Sequence, residues 1–106
     1  MPFLAIPAGR IHYEVRGRGY PLLLFAPGFL SSRMERWRTN PAKPGVPQDW
    51  VDPVAALEDA FQVIALDVRN AGESRARIGA DDDWATYTAD HLALLDHLGV
   101  RHCHVM

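Results

Sequence analysis

Three apolar runs organise the chain. From Leu22 to Ala26 five apolar residues follow one another without alternation. That pattern fits a strand buried on both faces, as in a parallel sheet. Val63 to Leu66 repeats it and ends at Asp67. Val100 to Met106 enters a third buried strand, with Cys103 and Val105 on one face and His102 and His104 on the other. Ahead of these runs, Arg10 to Arg16 alternates, with Ile11, Tyr13 and Val15 on one side and His12, Glu14 and Arg16 on the other. It reads as a half-exposed strand, antiparallel to the short apolar start Met1 to Ile6 across a tight turn at Ala8-Gly9. On this reading His12 is a surface residue. Gly17-Arg18-Gly19 turns the chain into the first buried run.

Helical spacing fills the intervals. Asp52 can cap free backbone donors and Pro53 is tolerated in a first turn, so a helix starts there, with Val54, Leu57 and Phe61 on one face. Two buried runs separated by a helix describe a β-α-β unit. Trp84, Tyr87, His91, Leu94, Leu95 and Leu98 recur at helical spacing, and Gly99 is a natural stop. His91, on this apolar stripe, is expected to be packed and bonded to a carbonyl. Ala76 to Asp83 reads as a polar surface link. Arg33 to Asp52 is irregular, with Pro41, Pro44 and Pro47 and two tryptophans. Trp50 is expected to pin this loop to the core, and Trp37 either to do the same or to line a pocket. The pattern predicts an α/β fold.

With 106 residues there is room for one small domain. The chain is 48% hydrophobic and 23% charged, with a formal net charge of -2, which excludes a disordered chain and a basic nucleic-acid arm. Arg36-Trp37-Arg38 lacks the neighbours that a groove tracking a nucleic-acid backbone needs. No apolar window is long enough to span a bilayer, and no basic leader precedes an apolar run. The single cysteine, Cys103, rules out an internal disulfide framework and suits a reducing compartment, so a cytoplasmic location is expected. His102 and His104 supply two ligands where a closed zinc site uses four, and Asp81 to Asp83 lack an EF-hand pattern. Neither a metal nor a cofactor is expected.

Two loops are candidates for chemistry. Pro27-Gly28 breaks the first buried run where open α/β sheets usually place ligands, at the carboxyl edge. Asp67 to Ser74 follows the second run directly. Asn70 and Gly72 both tolerate a left-handed backbone, so a compact turn is expected, held by Arg69 or Asp67. Arg69 could reach back to Asp67 or to loop carbonyls through its fork of donors.

From Ile11 onward this order of features resembles the first half of the α/β-hydrolase fold. The octet Asp67-x-Arg69-Asn70-x-Gly72-x-Ser74 is similar to the family's Asp-x-Arg-Gly-x-Gly-x-Ser, with Asn70 in place of the first glycine. The resemblance implies a three-layer α/β/α sandwich. Residues 1–106 would be the N-terminal part of a single α/β-hydrolase domain and of its mostly parallel sheet, incomplete without a following segment. In the family the loop after the first buried run often reads His-Gly-x and lends a backbone N–H to the oxyanion hole. Ala26-Pro27 stands there instead. Pro27 cannot donate, so the resemblance assigns the donor to Gly28, with Phe29 as the neighbour if the register shifts. It places the nucleophile, Ser or Cys, with the acid and the base, beyond Met106. The implied function is hydrolysis of a small ester or related acyl substrate through an acyl-enzyme, this chain supplying an oxyanion donor and pocket wall. A non-catalytic binding protein or an acyltransferase of the same fold is the alternative. The expected partners are a complementary C-terminal segment pairing with His102 to Met106 and a small-molecule substrate, with a homodimer left open. The isolated chain is expected to be inactive.

Overall fold

The computed structural model describes residues 2–25, 32–40, 43–47 and 52–106. Strand β1 (Phe3–Ile6) turns at Gly9 into the antiparallel strand β2 (Gly9–Arg16), with Leu4 opposite Ile11. Gly17 and Gly19, at φ of 82° and 129°, lead into β3 (Tyr20–Leu23). A 3-10 helix (Met34–Trp37) and a small antiparallel pair, β4 (Thr39–Asn40) and β5 (Lys43–Pro47), come next. Helix α1 (Pro53–Leu57), β6 (Phe61–Leu66), β7 (Arg75–Ala76), α2 (Trp84–His97) and β8 (His104–Val105) complete the described elements.

Among the described residues the main sheet runs β1-β2-β6-β3-β8, with β7 pairing to the start of β2. The pairs of β3 with β6 and β8 are parallel, and those of β2 with β1 and β6 are antiparallel. Alternating side chains of the central strands go to opposite cores. Leu23, Ile64 and Leu66 join Leu94 of α2, while Leu22, Leu24, Val63 and Ala65 join Val54 of α1 and Met34. The helices therefore cover opposite faces, which gives the three layers expected. Leu22 to Leu24 and Val63 to Leu66 are buried on both sides, as an unbroken apolar sequence implies, while Phe25 is exposed.

Several details depart from the sequence pattern. His12 and Glu14 are buried rather than exposed, because the segment around Met34 and Arg38 folds over their face of β2. The stretch from Arg33 is not wholly irregular, since it holds the 3-10 helix and the β4–β5 pair. Trp37 is half-buried against the α1-side core. Helix α1 begins at its predicted cap, where Asp52 accepts from the N–H of Val54 and Ala55 at 2.9 and 3.4 Å. It ends at Leu57, and Phe61 already opens β6. The polar link is entered through β7 (Arg75–Ala76), which the sequence did not announce. Strand β8 is exposed rather than buried, because among the described residues only β3 flanks it. Trp50, the Pro27-Gly28 break and the candidate donors Gly28 and Phe29 lie outside the described residues.

Candidate functional site

Asp67 leaves the end of β6 and enters the octet, and its buried carboxylate gathers donors from three parts of the chain. The backbone N–H of Met34 donates to Oδ1 at 2.7 Å. The N–H of Glu73 donates to Oδ2 at 3.0 Å. His12 Nδ1 lies 2.8 Å from Oδ2. A carboxylate only accepts, so Nδ1 carries the proton. The Ser74 hydroxyl locks the turn from the other side. It donates to the Asp67 carbonyl at 2.7 Å and accepts the His12 N–H at 2.8 Å. The Ser32 carbonyl accepts from the N–H of Val68 at 2.9 Å.

The octet is the compact turn expected, with both candidate residues left-handed, Asn70 at φ 62° and Gly72 at φ 52°. An asparagine can stand where the resembling motif has a glycine because it tolerates this region. Its Oδ1 also accepts from the N–H of Ala76 at 3.0 Å, tying the turn to β7. Arg69 does not reach back to Asp67, whose oxygens are already occupied. Its guanidinium instead pairs side-on with Asp90 of α2, at 2.6 and 3.0 Å. Hydrogen bonding to Asp90 raises Arg69 above the ordinary guanidinium value, against the opposing effect of burial. The octet thus joins β6 to α2 and to the segment returning from β3.

A cavity of about 270 Å³ opens beside this hub, with His12, Glu14, Met34, Arg38, Asp67 and Gly72 in its wall. Its buried Glu14 is matched by Arg16 at 3.0 Å and Arg38 at 3.3 Å. Every charge named here has a partner, so the arrangement holds loops in place. The buried His12–Asp67 pair escaped sequence reading. Its only trace was that His12 lies in a strand beside the run that Asp67 ends.

A second cavity, of about 520 Å³, lies between α2, β3 and β8, with Leu23, Phe25, His91, Leu92, Cys103 and Val105 in its wall. His91 is packed as expected. Its Nδ1 lies 2.7 Å from the Tyr87 carbonyl, and its ring stacks on Phe25 with centroids 4.2 Å apart. Burial lowers its pKa below the usual imidazole value, outweighing the Tyr87 carbonyl and the nearby Asp90.

The chain enters and leaves the segment carrying Gly28 and Phe29 at fixed points on the carboxyl edge of the sheet. On one side Leu24 N–H donates to the Ile64 carbonyl at 2.9 Å and Phe25 N–H to the Met106 carbonyl at 2.7 Å. On the other, Ser32 is buried and Met34 is held by Asp67. The connection from β3 runs to β6 on one side, and the connection from β6 crosses back to β8 on the other. The strand order therefore switches between β3 and β8, the position at which open α/β sheets bind ligands. Among the described residues no cluster of three or more His, Cys, Asp or Glu could hold a metal ion, and no helix is long and apolar enough to cross a membrane.

No family model matches the chain. Over 90 residues it is 32% identical to the soluble epoxide hydrolase of Corynebacterium sp. (strain C12), a match covering 85% of this chain and 26% of that protein. Among solved structures, a hydrolase from Pseudomonas aeruginosa PA01 superposes with a TM-score of 0.72 at 27% identity, over 98% of this chain and 34% of its own. A Vigna radiata epoxide hydrolase mutant gives a TM-score of 0.75 at 21% identity, over 98% of this chain and 29% of its own. The chain thus spans about a quarter to a third of the length of the proteins it matches. With its strand order, two-sided core and octet, the chain has the N-terminal portion of the α/β-hydrolase fold.

Proposed function

We propose that the chain is the N-terminal part of a cytoplasmic hydrolase of small organic molecules, with epoxides as the substrate class, completed by a following segment of the same polypeptide. The observation that carries this reading is the 32% identity, over most of this chain, with a soluble epoxide hydrolase. The strand-order switch between β3 and β8 supports it, since these parallel neighbours end side by side at one carboxyl edge. Opening an epoxide needs a nucleophile at a ring carbon. The C–O bond breaks and its electron pair goes to the ring oxygen, which needs a donor as negative charge develops there. In this reading Gly28, or Phe29 in a shifted register, offers that donor as a backbone N–H, and the nucleophile is a carboxylate from the following segment. Water then hydrolyses the resulting ester, restoring the carboxylate and releasing the diol, with the ring oxygen protonated from water.

Ester hydrolysis is the second reading, favoured by the Pro27-Gly28 break after a buried strand. The same N–H would face the oxyanion of a tetrahedral intermediate, and water would release the acyl-enzyme. The test is to express the reading frame through to its stop codon and supply styrene oxide and p-nitrophenyl acetate separately. Diol formation from the epoxide is expected. Ester turnover alone would move the assignment to the second reading. Transfer to an added alcohol faster than hydrolysis would mark an acyltransferase, and a folded protein inert to both substrates would mark a binding protein. Gly28→Pro removes the donor and should lower kcat about 10²- to 10³-fold, while Gly28→Ala keeps the N–H and should lose far less. Equal losses in the two variants would remove Gly28 from the site.

A further inference from the structure

The cavity beside Asp67 holds a side chain whose hydrogen-bonding capacity is only half used. His12 is 6% exposed and lies in the cavity wall. With its Nδ1–H given to Asp67, the neutral ring presents Nε2 as an acceptor. Nε2 has no partner among the described residues, and it is not sealed from solvent as Arg33 Nε is. An imidazole held through Nδ1–H by a carboxylate is fixed in tautomer and direction. Asp67 is in turn fixed by the N–H groups of Met34 and Glu73, so the free lone pair of His12 has a set direction.

The rest of the wall shows what would meet it. Glu14 is matched by Arg16 and Arg38. Arg33 has Glu35 at 3.8 Å, and its Nε is sealed. The charged donors of the wall are thus turned to its own carboxylates. Glu73 differs, because its N–H goes to Asp67 while its carboxylate forms no hydrogen bond or ion pair among the described residues. The two groups left over, His12 Nε2 and the Glu73 carboxylate, are both acceptors, one neutral and one negative. A carboxylate or phosphate ligand would set acceptor against acceptor. An alcohol has one donor for two acceptors and no charge. A quaternary ammonium has the charge but no N–H. A metal ion would lack ligands, since among the described residues no group of three or more His, Cys, Asp or Glu could hold one. A primary ammonium has both the charge and three N–H donors. Met34, buried in the same wall, gives a short alkyl chain an adaptable apolar surface.

We propose that this cavity is a binding site for a small primary ammonium, which donates to His12 Nε2 and pairs with the Glu73 carboxylate. A space of about 270 Å³ suits a ligand of a few heavy atoms. Asp67 then has two roles, holding the loops together and aiming His12. The inference goes beyond the hydrolytic reading and does not depend on it, because the site binds and breaks no bond.

The test uses the polypeptide expressed to its stop codon, at about pH 8, where an ordinary imidazole is neutral and a primary amine is protonated. Ethylammonium chloride is titrated in, with tetramethylammonium chloride and ethanol as separate controls. Ethylammonium should move the ¹⁵N resonance of His12 Nε2 upfield, as for a nitrogen that begins to accept a hydrogen bond, and should bind in the millimolar range expected of so small a ligand. Tetramethylammonium and ethanol should leave that resonance in place. Glu73→Gln changes an exposed side chain and should weaken ethylammonium binding about two- to fivefold. His12→Phe removes the acceptor and should abolish binding. Should that variant fail to fold, the resonance of the unsubstituted protein still decides. An Nε2 resonance that ethylammonium does not move would overturn the proposal, whether the nitrogen starts free or already bonded. An equal response to tetramethylammonium would reduce the effect to diffuse charge, an equal response to ethanol would make the site one for neutral donors, and either would overturn it as well.

Discussion

Asp67 shows how much one side chain can fix. Its carboxylate takes donors from Met34, Glu73 and His12, and so holds three separate stretches against the end of β6. Hydrogen bonds to charged groups contribute about 1.5–3 kcal/mol each, so Asp67→Asn, which sets an NH2 group among donors, should cost about 3 kcal/mol or more in urea unfolding. Gly72 stands against the same carboxylate. A Cβ there would meet the Asp67 side chain, at a φ of +52° that disfavours any side chain. Gly72→Val should therefore lower stability by about 2–4 kcal/mol, before any change in substrate preference. Near-normal stability with an altered substrate profile would instead point to substrate contact. His91 gives the pH dependence. Burial depresses its folded-state pKa, so its contribution to stability is complete above the ordinary imidazole value of about 6.5 and is lost as pH falls from there through the folded-state pKa. The melting temperature should drop as pH falls below about 6.5, and less steeply in His91→Phe. At this scale the sequence was only partly legible. The turn chemistry of Asn70 and Gly72 is local and could be read, as could the carbonyl bond of His91. The His12–Asp67 pair joins residues 55 apart and depends on strand pairing and on a covering segment that no local pattern encodes.

Elements were most legible where periodicity and capping agreed. Helix α2 starts at Trp84 because Asp83 and Thr86 form a reciprocal capping box, and it stops before Gly99, which adopts φ 70°. Asp83→Ala should cost about 1 kcal/mol and fray the first turn of α2, as amide exchange at Ala85 and Thr86 would report. Unchanged exchange there would show that the fit of Leu94 into the sheet sets the start of the helix, not the cap. Helix α1 had a correct start, but its predicted face ran on to Phe61, because a helical repeat and the first residue of a buried strand look alike in composition. Strand β7 was missed for a different reason. Arg75 and Ala76 carry no strand pattern and pair with β2 only because the octet brings them there. Strand β8 covers only His104 and Val105 of the predicted run from Val100 to Met106, and its exposure follows from having one neighbour instead of two among the described residues.

At the scale of the whole molecule, α1 and α2 lie on opposite faces, and the central strands β6 and β3 have neighbours on both sides. The β8 edge and the α2 side beside it do not share that cover. Val105 and Met106 are 63% and 54% exposed, and Leu92 and Phe25 continue the patch. Each apolar side chain left in water forgoes about 1.5–3 kcal/mol of burial, while net stabilities of small domains are only about 5–15 kcal/mol. A few such residues are thus enough to decide whether the unit stands alone. Residues 1–106 by themselves should be poorly folded or aggregation-prone, and should turn over neither p-nitrophenyl acetate nor styrene oxide. Sedimentation with thermal and urea unfolding of the purified chain is the measurement. A soluble monomer with one cooperative transition would show that the two cores suffice and that the apolar edge is tolerated. Turnover by that same monomer would place the nucleophile within these 106 residues and overturn its assignment to the polypeptide beyond Met106.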